Sequence, residues 1–220
     1  MMTRWQAFTK LREVMKDPGR IGEIPIYKSE IGRVRAYPHV EALLADVRDY
    51  FPTIDLETLR ALPGSTFGRE YVRFLDENGL SPLVIPDDMD RDMLARNAFN
   101  ARYGVIHDMT HVLTGFDSSP AGESGVWAFV GAQGYSRTFA MASVVALLFH
   151  NLLAPLWVLV RPRQWLRGFP LWFRGRRMGK RAKLLLPLRL EEHFSTDLAT
   201  LRQDLDITET GPGYLVVAGT

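Results

Sequence analysis

Apolar residues recur at helical spacing through most of this chain, and proline or glycine closes nearly every run. That punctuation constrains the fold more than any other feature, because a period near 3.6 commits a segment to burying one stripe of a helix. Trp5, Phe8, Leu11 and Met15 form a first stripe, stopped by Pro18-Gly19. Val40, Leu43, Leu44 and Val47 follow at i, i+3, i+4 and i+7, ahead of Pro52. Leu56, Leu59 and Leu62 predict a short helix capped by Thr53 or Asp55. Thr66 can cap the next helix; Phe67, Tyr71, Phe74 and Leu75 form its inner face, and Gly79 stands at the C-cap position. A long pattern from Asp88 to Leu113, with a break expected near Gly104, ends at Gly115, and Glu123 is expected to open another helix. Leu198, Leu201 and Leu205 predict a last amphipathic helix. The best strand signal is EIPIY near residue 25, and it is weak. The expectation is an all-α fold: one mostly helical domain over residues 1–220, with a loose tail at about 209–220.

The length of 220 residues suffices for one core, and nothing in the sequence repeats. Cysteine is absent, so any metal must be held by histidine and carboxylate, and the chain suits a reducing compartment. MMTRWQAFTKLREVMKD does not read as a signal peptide: it mixes charge with bulk and has no continuous apolar stretch. Charge is distributed unevenly around a net of only +2. No Asp or Glu occurs between Glu123 and Glu191, while that interval holds eleven Lys and Arg. An acidic neighbour is expected there. Within it, residues 139–160 are almost wholly apolar and long enough to cross a bilayer, but His150, Asn151 and Pro155 favour a core or membrane-surface helix. RPRQWLRGFPLWFRGRRMGKRAK then interleaves cations with Trp165, Phe169, Trp172 and Phe173, a pattern suited to an anionic membrane surface. No base-reading motif accompanies it, which argues against nucleic acid.

The densest chemistry lies in HDMTHVLTGFDSSPAGE, residues 107–123. His107 and His111 are four residues apart, about 40° on a helix, so both rings can reach one ion. Glu123 returns from beyond a Gly/Ser/Pro loop as a further ligand. Asp108 lies at the edge of that face and can serve as ligand, as a partner to a ligand, or as proton donor. The donor set suits Zn²⁺, and also Mn²⁺ or Fe²⁺. On its own an HxxxH pair is weak evidence, since such pairs also occur on ordinary helix surfaces. A metallohydrolase of the HD type needs more His and Asp ligands than His39, His150 and His193 supply.

The whole string HDxxH, eleven residues, then Glu resembles the metal motif of the ubiquinone (coenzyme Q) biosynthesis protein 4 family. His107, Asp108, His111 and Glu123 fall on it without gaps, Arg102 and Tyr103 match the family's RY, and Gly115 and Gly122 match its glycines. LPGSTFGREYVRFLDENGLSP and GRRMGKRAKLLLPLRLEEHFSTDLATLRQDLDI resemble its flanking blocks, so the likeness spans roughly residues 60–207. SGVWAFVGAQ after Glu123 matches only loosely, and the apolar and Arg-rich segments look exaggerated. The resemblance implies a helical protein with an apolar cavity for a prenyl lipid and a metal held by His107, His111 and Glu123, with Asp108 as ligand or catalytic acid. It implies C1 decarboxylation, possible oxidatively, of a polyprenylated 4-hydroxybenzoate intermediate, that is, a carboxy-lyase. The alternative is a scaffold that presents prenyl lipids to other ubiquinone biosynthesis proteins without catalysis. It further implies a homodimer and a peripheral place on the inner membrane: its cytoplasmic face in a bacterium, the mitochondrial inner membrane in a eukaryote.

Overall fold

A computed structural model describes residues 2–152 and 162–207. They form helices α1 (Arg4–Val14), α2 (Ile24–Gly32), α3 (Pro38–Leu43), α4 (Leu56–Arg60), α5 (Phe67–Asn78), α6 (Arg91–Arg96), α7 (Ala98–Thr114), α8 (Pro120–Ala132), α9 (Arg137–Leu152), α10 (Pro162–Arg181) and α11 (Leu198–Asp204). Short 3₁₀ turns at Pro18–Glu23 and Leu190–His193 complete the described secondary structure, and no strand occurs among these residues. The fold is all-α, as the periodicity implies.

Helix α7 is the axis of the molecule. Of its residues only Tyr103, His107 and Asp108 are not buried. Phe99, Ile106, Met109, Val112 and Leu113 enter a large core with α5, α8 and the C-terminal segment. Ala101 and Val105 face a smaller core with α1, α2 and α6. A helix buried on nearly all sides must either be apolar or have each polar group satisfied. Arg102, fully buried, is met at both terminal nitrogens: its guanidinium grips Glu191 through Nη1–Oε1 at 2.6 Å and Nη2–Oε2 at 2.9 Å. That fork fastens α7 to the C-terminal segment.

Two close approaches set the remaining helices. Gly104 receives Pro25 of α2; a Cβ at that glycine would lie 2.7 Å from the proline Cγ. Gly175 and Gly179 of α10 lie against the backbone carbonyls of Gly125 and Phe129 in α8, so any side chain at either would force the helices apart. Trp172 Nε1 then donates to the Ser143 carbonyl at 2.9 Å, tying α10 to α9.

Four expectations need correction. EIPIY is helical, because Pro25 sits in the first turn of α2, where its missing N–H costs nothing. The long pattern breaks at Asn97, not Gly104: the Asn97 amide bonds Met93 and Glu30 and ends α6, while Gly104 stays helical and admits Pro25. The stripe from Val40 to Val47 is helical only to Leu43; turns follow, and Leu43 is exposed while Val40, Leu44 and Val47 are buried. In α1 the buried residues are Ala7 and Val14, whereas Trp5, Phe8 and Met15 face outward, Trp5 at 75% exposure. The caps at Asp55, Thr66, Gly79 and Gly115 stand as expected. Helix α8 opens at Pro120 under a Ser119 cap, with Glu123 in its first turn. Residues 153–160 of the apolar segment and the tail from residue 209 lie outside the described residues. Among those described, no helix is long and apolar enough to cross a membrane.

Candidate metal centre

The three residues of α7 that escape burial all face one cavity of about 410 Å³. Tyr103, His107 and Asp108 recur at i, i+4 and i+5, so they share one edge of the helix. Gly115, at φ 73°, ends α7 in the left-handed conformation and lets the chain double back. Ser119 then caps α8 by accepting from Gly122 N at 3.2 Å. Gly122 lies tight against Asp117, where a side chain would not fit. This short return brings Glu123 against α7.

His107, His111 and Glu123 consequently converge, each offering a donor atom within 4.8 Å of the others. Glu123 Oε1 lies 3.1 Å from His111 Nε2 and 3.8 Å from His107 Nε2. A tetrahedral ion with bonds of about 2.1 Å keeps its ligand atoms roughly 3.4 Å apart, so these spacings fit one. The outer nitrogens support the same reading. His111 Nδ1 lies 3.0 Å from the Phe116 carbonyl, which can only accept; Nδ1 therefore carries hydrogen, which leaves the Nε2 lone pair of a neutral ring for an ion. His107 Nδ1 lies 3.2 Å from the Tyr103 hydroxyl. Phe74 stacks on the His111 ring with centroids 5.2 Å apart and blocks its other face.

The electrostatics are those of a site awaiting a cation. Burial would raise the Glu123 carboxyl, but hydrogen bonds from both histidines hold it down to about 2. Burial works against charge on His111, yet Glu123 outweighs it and the imidazole pKa is raised. A proton on His111 Nε2, facing Glu123 Oε1, stands where the triad would hold an ion. Asp108 behaves differently. It is not one of the three convergent donors, it has no hydrogen-bond partner among the described residues, and its carboxylate lines the adjoining cavity. Burial pushes its carboxyl up, and His107 and His111 offset only part of that rise.

The model of the family described as "Coenzyme Q (ubiquinone) biosynthesis protein Coq4" matches residues 48–211. This chain belongs to the Coq4 family. Among curated Coq4 relatives, the mitochondrial ubiquinone biosynthesis protein COQ4 homolog of Nematostella vectensis is 34% identical over 158 residues, covering 71% of this chain and 72% of its own. Its counterpart in Danio rerio is 32% identical over 181 residues, covering 80% of this chain and 62% of its own. For several other Coq4 relatives the matched stretch is little more than half their length, such as 52% for that of Xenopus tropicalis. A crystal structure of a Nostoc punctiforme protein described as a ubiquinone biosynthesis protein superposes with a TM-score of 0.63 at 19% identity, covering 94% of this chain and 97% of that one. That likeness establishes the shared fold. The chain is thus a ubiquinone biosynthesis protein of the Coq4 family, and three of the four residues of the motif that suggested it, His107, His111 and Glu123, converge.

Two supports of the site could not be assigned from the motif. Tyr103 was visible as an aromatic residue four before His107, the spacing at which helical side chains meet, but its bond to Nδ1 was not foreseen. The Phe116 contact uses a backbone carbonyl, for which no residue type is a signal. The cavity's far wall, from α2, comes from a segment placed by contacts distant in sequence, Pro25–Gly104 and Ser29–Asn100 among them.

Proposed function

We propose that the chain is a metal-dependent carboxy-lyase that removes the C1 carboxylate from a polyprenylated 4-hydroxybenzoate intermediate of ubiquinone synthesis. The observation that carries this reading is the junction of a His107–His111–Glu123 triad with a largely apolar cavity into which Asp108 faces. The triad would hold Zn²⁺, Mn²⁺ or Fe²⁺. Such an ion supplies charge that orients the carboxylate and polarises it. Loss of CO2 from a ring carbon needs a proton delivered to that carbon. Asp108, whose carboxyl burial pushes up from its ordinary value and which lines the same cavity as the triad, is the acid at hand. Tyr103 and the Phe116 carbonyl hold the two imidazoles in one orientation. Leu83, Trp127 and Phe139 line the cavity and exclude water from the ring and the first units of its tail.

The surface around α9 and α10 supports a peripheral place on an anionic inner membrane. Met141, Val144, Val145, Phe169 and Phe173 are exposed there, beside Lys180 and other cations, in a stretch free of acidic residues. Prenyl lipids, other ubiquinone biosynthesis proteins and a second copy of the chain are the partners this reading calls for. Incubation with a short-chain prenylated 4-hydroxybenzoate and metal tests it: CO2 should be released, and Asp108→Asn should abolish release while keeping bound metal. Tight binding of the prenyl compound with no CO2 from any metal-loaded form would replace the lyase with a lipid-presenting scaffold.

A further inference from the structure

The cavity is lined by groups of opposite charge on different helices. Asp108, Glu123 and His107 line it from α7 and α8. Helix α2 supplies the opposite wall through Ile24, Pro25 and Lys28, and Lys28 is the cationic side chain other than histidine that lines the cavity among the described residues. Lys28 is exposed at the rim and makes no ion pair among the described residues. This part of the chain precedes residues 48–211, which match the family model.

The placement of Lys28 along the cavity follows from how α2 crosses α7. Pro25 meets Gly104, Ser29 bonds Asn100 at 2.8 Å, and Glu30 bonds Asn97 at 2.5 Å. As α2 advances, its partners on α7 recede, so the two helices run antiparallel. Lys28 lies three residues beyond Pro25, and His107 lies three residues beyond Gly104 in the opposite direction. At 1.5 Å of rise per residue, their backbones are about 9 Å apart along the helices. Lys28 and the triad residues His107 and Glu123 thus line the same cavity from different helices. An ammonium at the rim of a largely apolar cavity favours a negatively charged or strongly polar oxygen on a ligand that covers it, because a covered ammonium needs a partner in place of water.

We propose that Lys28 receives the ring oxygen para to the carboxylate, so that the substrate head lies between the metal triad and α2. Lys28 is then a positioning and specificity residue: it selects rings that carry an oxygen opposite the carboxylate and fixes which carbon faces Asp108. This inference rests on the proposed substrate class but not on turnover.

A ligand-side and protein-side cycle tests it with the full chain. Two probes are titrated, a short-chain prenylated 4-hydroxybenzoate and the same compound lacking the ring hydroxyl, with Trp127 fluorescence reporting occupancy, since that indole lines the cavity. The unmodified protein should bind the hydroxylated probe about tenfold more tightly, the scale of a hydrogen bond to a charged group. Lys28→Met should erase that preference and leave the affinity for the deoxy probe unchanged, and Lys28→Arg should retain it. Preference that survives in Lys28→Met overturns the inference. So does preserved preference with weakened binding to anionic phospholipid vesicles, which would assign Lys28 to lipid phosphate. If neither probe binds the unmodified protein, the proposed substrate class falls together with this inference. If the preference disappears in Lys28→Met but no CO2 is ever formed, the inference stands and only the lyase reading falls.

Discussion

Helices α7 and α8 turn polar side chains inward, whereas α9 and α10 turn bulky apolar ones outward. In the first pair Arg102 is partnered by Glu191, and His111 by Glu123 and the Phe116 carbonyl. In the second, Met141, Val144, Val145, Phe169 and Phe173 are left in contact with solvent. A soluble surface scatters single apolar residues, but a run of them beside cations marks a place where something else supplies the burial. The difference separates two kinds of work. The α7–α8 pair brings together a His/Glu donor set that a cation could occupy, and it should lose stability when one partner is removed. The α9–α10 face leaves its apolar side chains outside the core and should lose little stability when altered.

The largest effect is expected at the buried ion pair. Arg102→Met leaves Glu191 buried without its counter-charge and should cost about 3–5 kcal/mol in urea unfolding. Adding Glu191→Leu should recover part of that loss. A variant that unfolds like the unmodified protein would mean that α7 does not depend on this fork.

The next effect concerns pH in chelator-treated protein. His111 is raised above its usual 6.5, so its contribution is fully present below that pH and is lost as pH rises through the raised value. Glu123 is lowered to about 2 from 4.5, so its contribution is present above 4.5 and is lost as pH falls toward 2. Thermal unfolding of the metal-free protein should therefore be most favourable to the folded state between these limits, and Tm should fall on the alkaline side. Adding Zn²⁺ should remove that alkaline loss, because the ion replaces the His111 proton. A metal-free Tm that is flat across neutral pH would contradict the coupling of His111 to Glu123.

The smallest stability change is expected on the outward face. Val145→Ser with Phe173→Ser should shift unfolding by no more than about 0.5 kcal/mol. The same pair should weaken binding to anionic vesicles severalfold, read by co-sedimentation. A large stability loss with unchanged vesicle binding would place these side chains in the structural core of the comparison instead.

The two regions also differ in how far the sequence discloses them. The candidate metal triad is largely local: His107 and His111 share one helix, and the eleven residues 112–122, turning at Gly115 and ending on Gly122, return Glu123. Helical spacing and turn chemistry suffice to read that. Likewise the inner faces of α5 and α11 follow their apolar period. What periodicity could not disclose depends on contacts distant in sequence. The bulky stripe of α1 looked like its buried face, yet α1 packs through Ala7 and Val14, and periodicity cannot say which face a short helix buries. The break at Asn97 arises from a bond to Glu30, sixty-seven residues away, and Gly104 invited the opposite reading because a glycine that admits Pro25 looks like one that ends a helix. The cavity is legible from neither segment alone, since α2 and α7 form it only when packed. Asp108 shows the boundary clearly: its place beside the histidines was evident, while its separation from the three donors emerges only in three dimensions.

Metal content of the purified chain tests the central claim most directly. Elemental analysis after equilibration with Zn²⁺ and removal of excess should find about one ion per chain, with His111→Ala and Glu123→Gln each reduced to near zero and Asp108→Asn retaining the ion. An unmodified protein that binds no ion, or a His111→Ala variant that keeps it, would contradict a metal centre at the junction of α7 and α8.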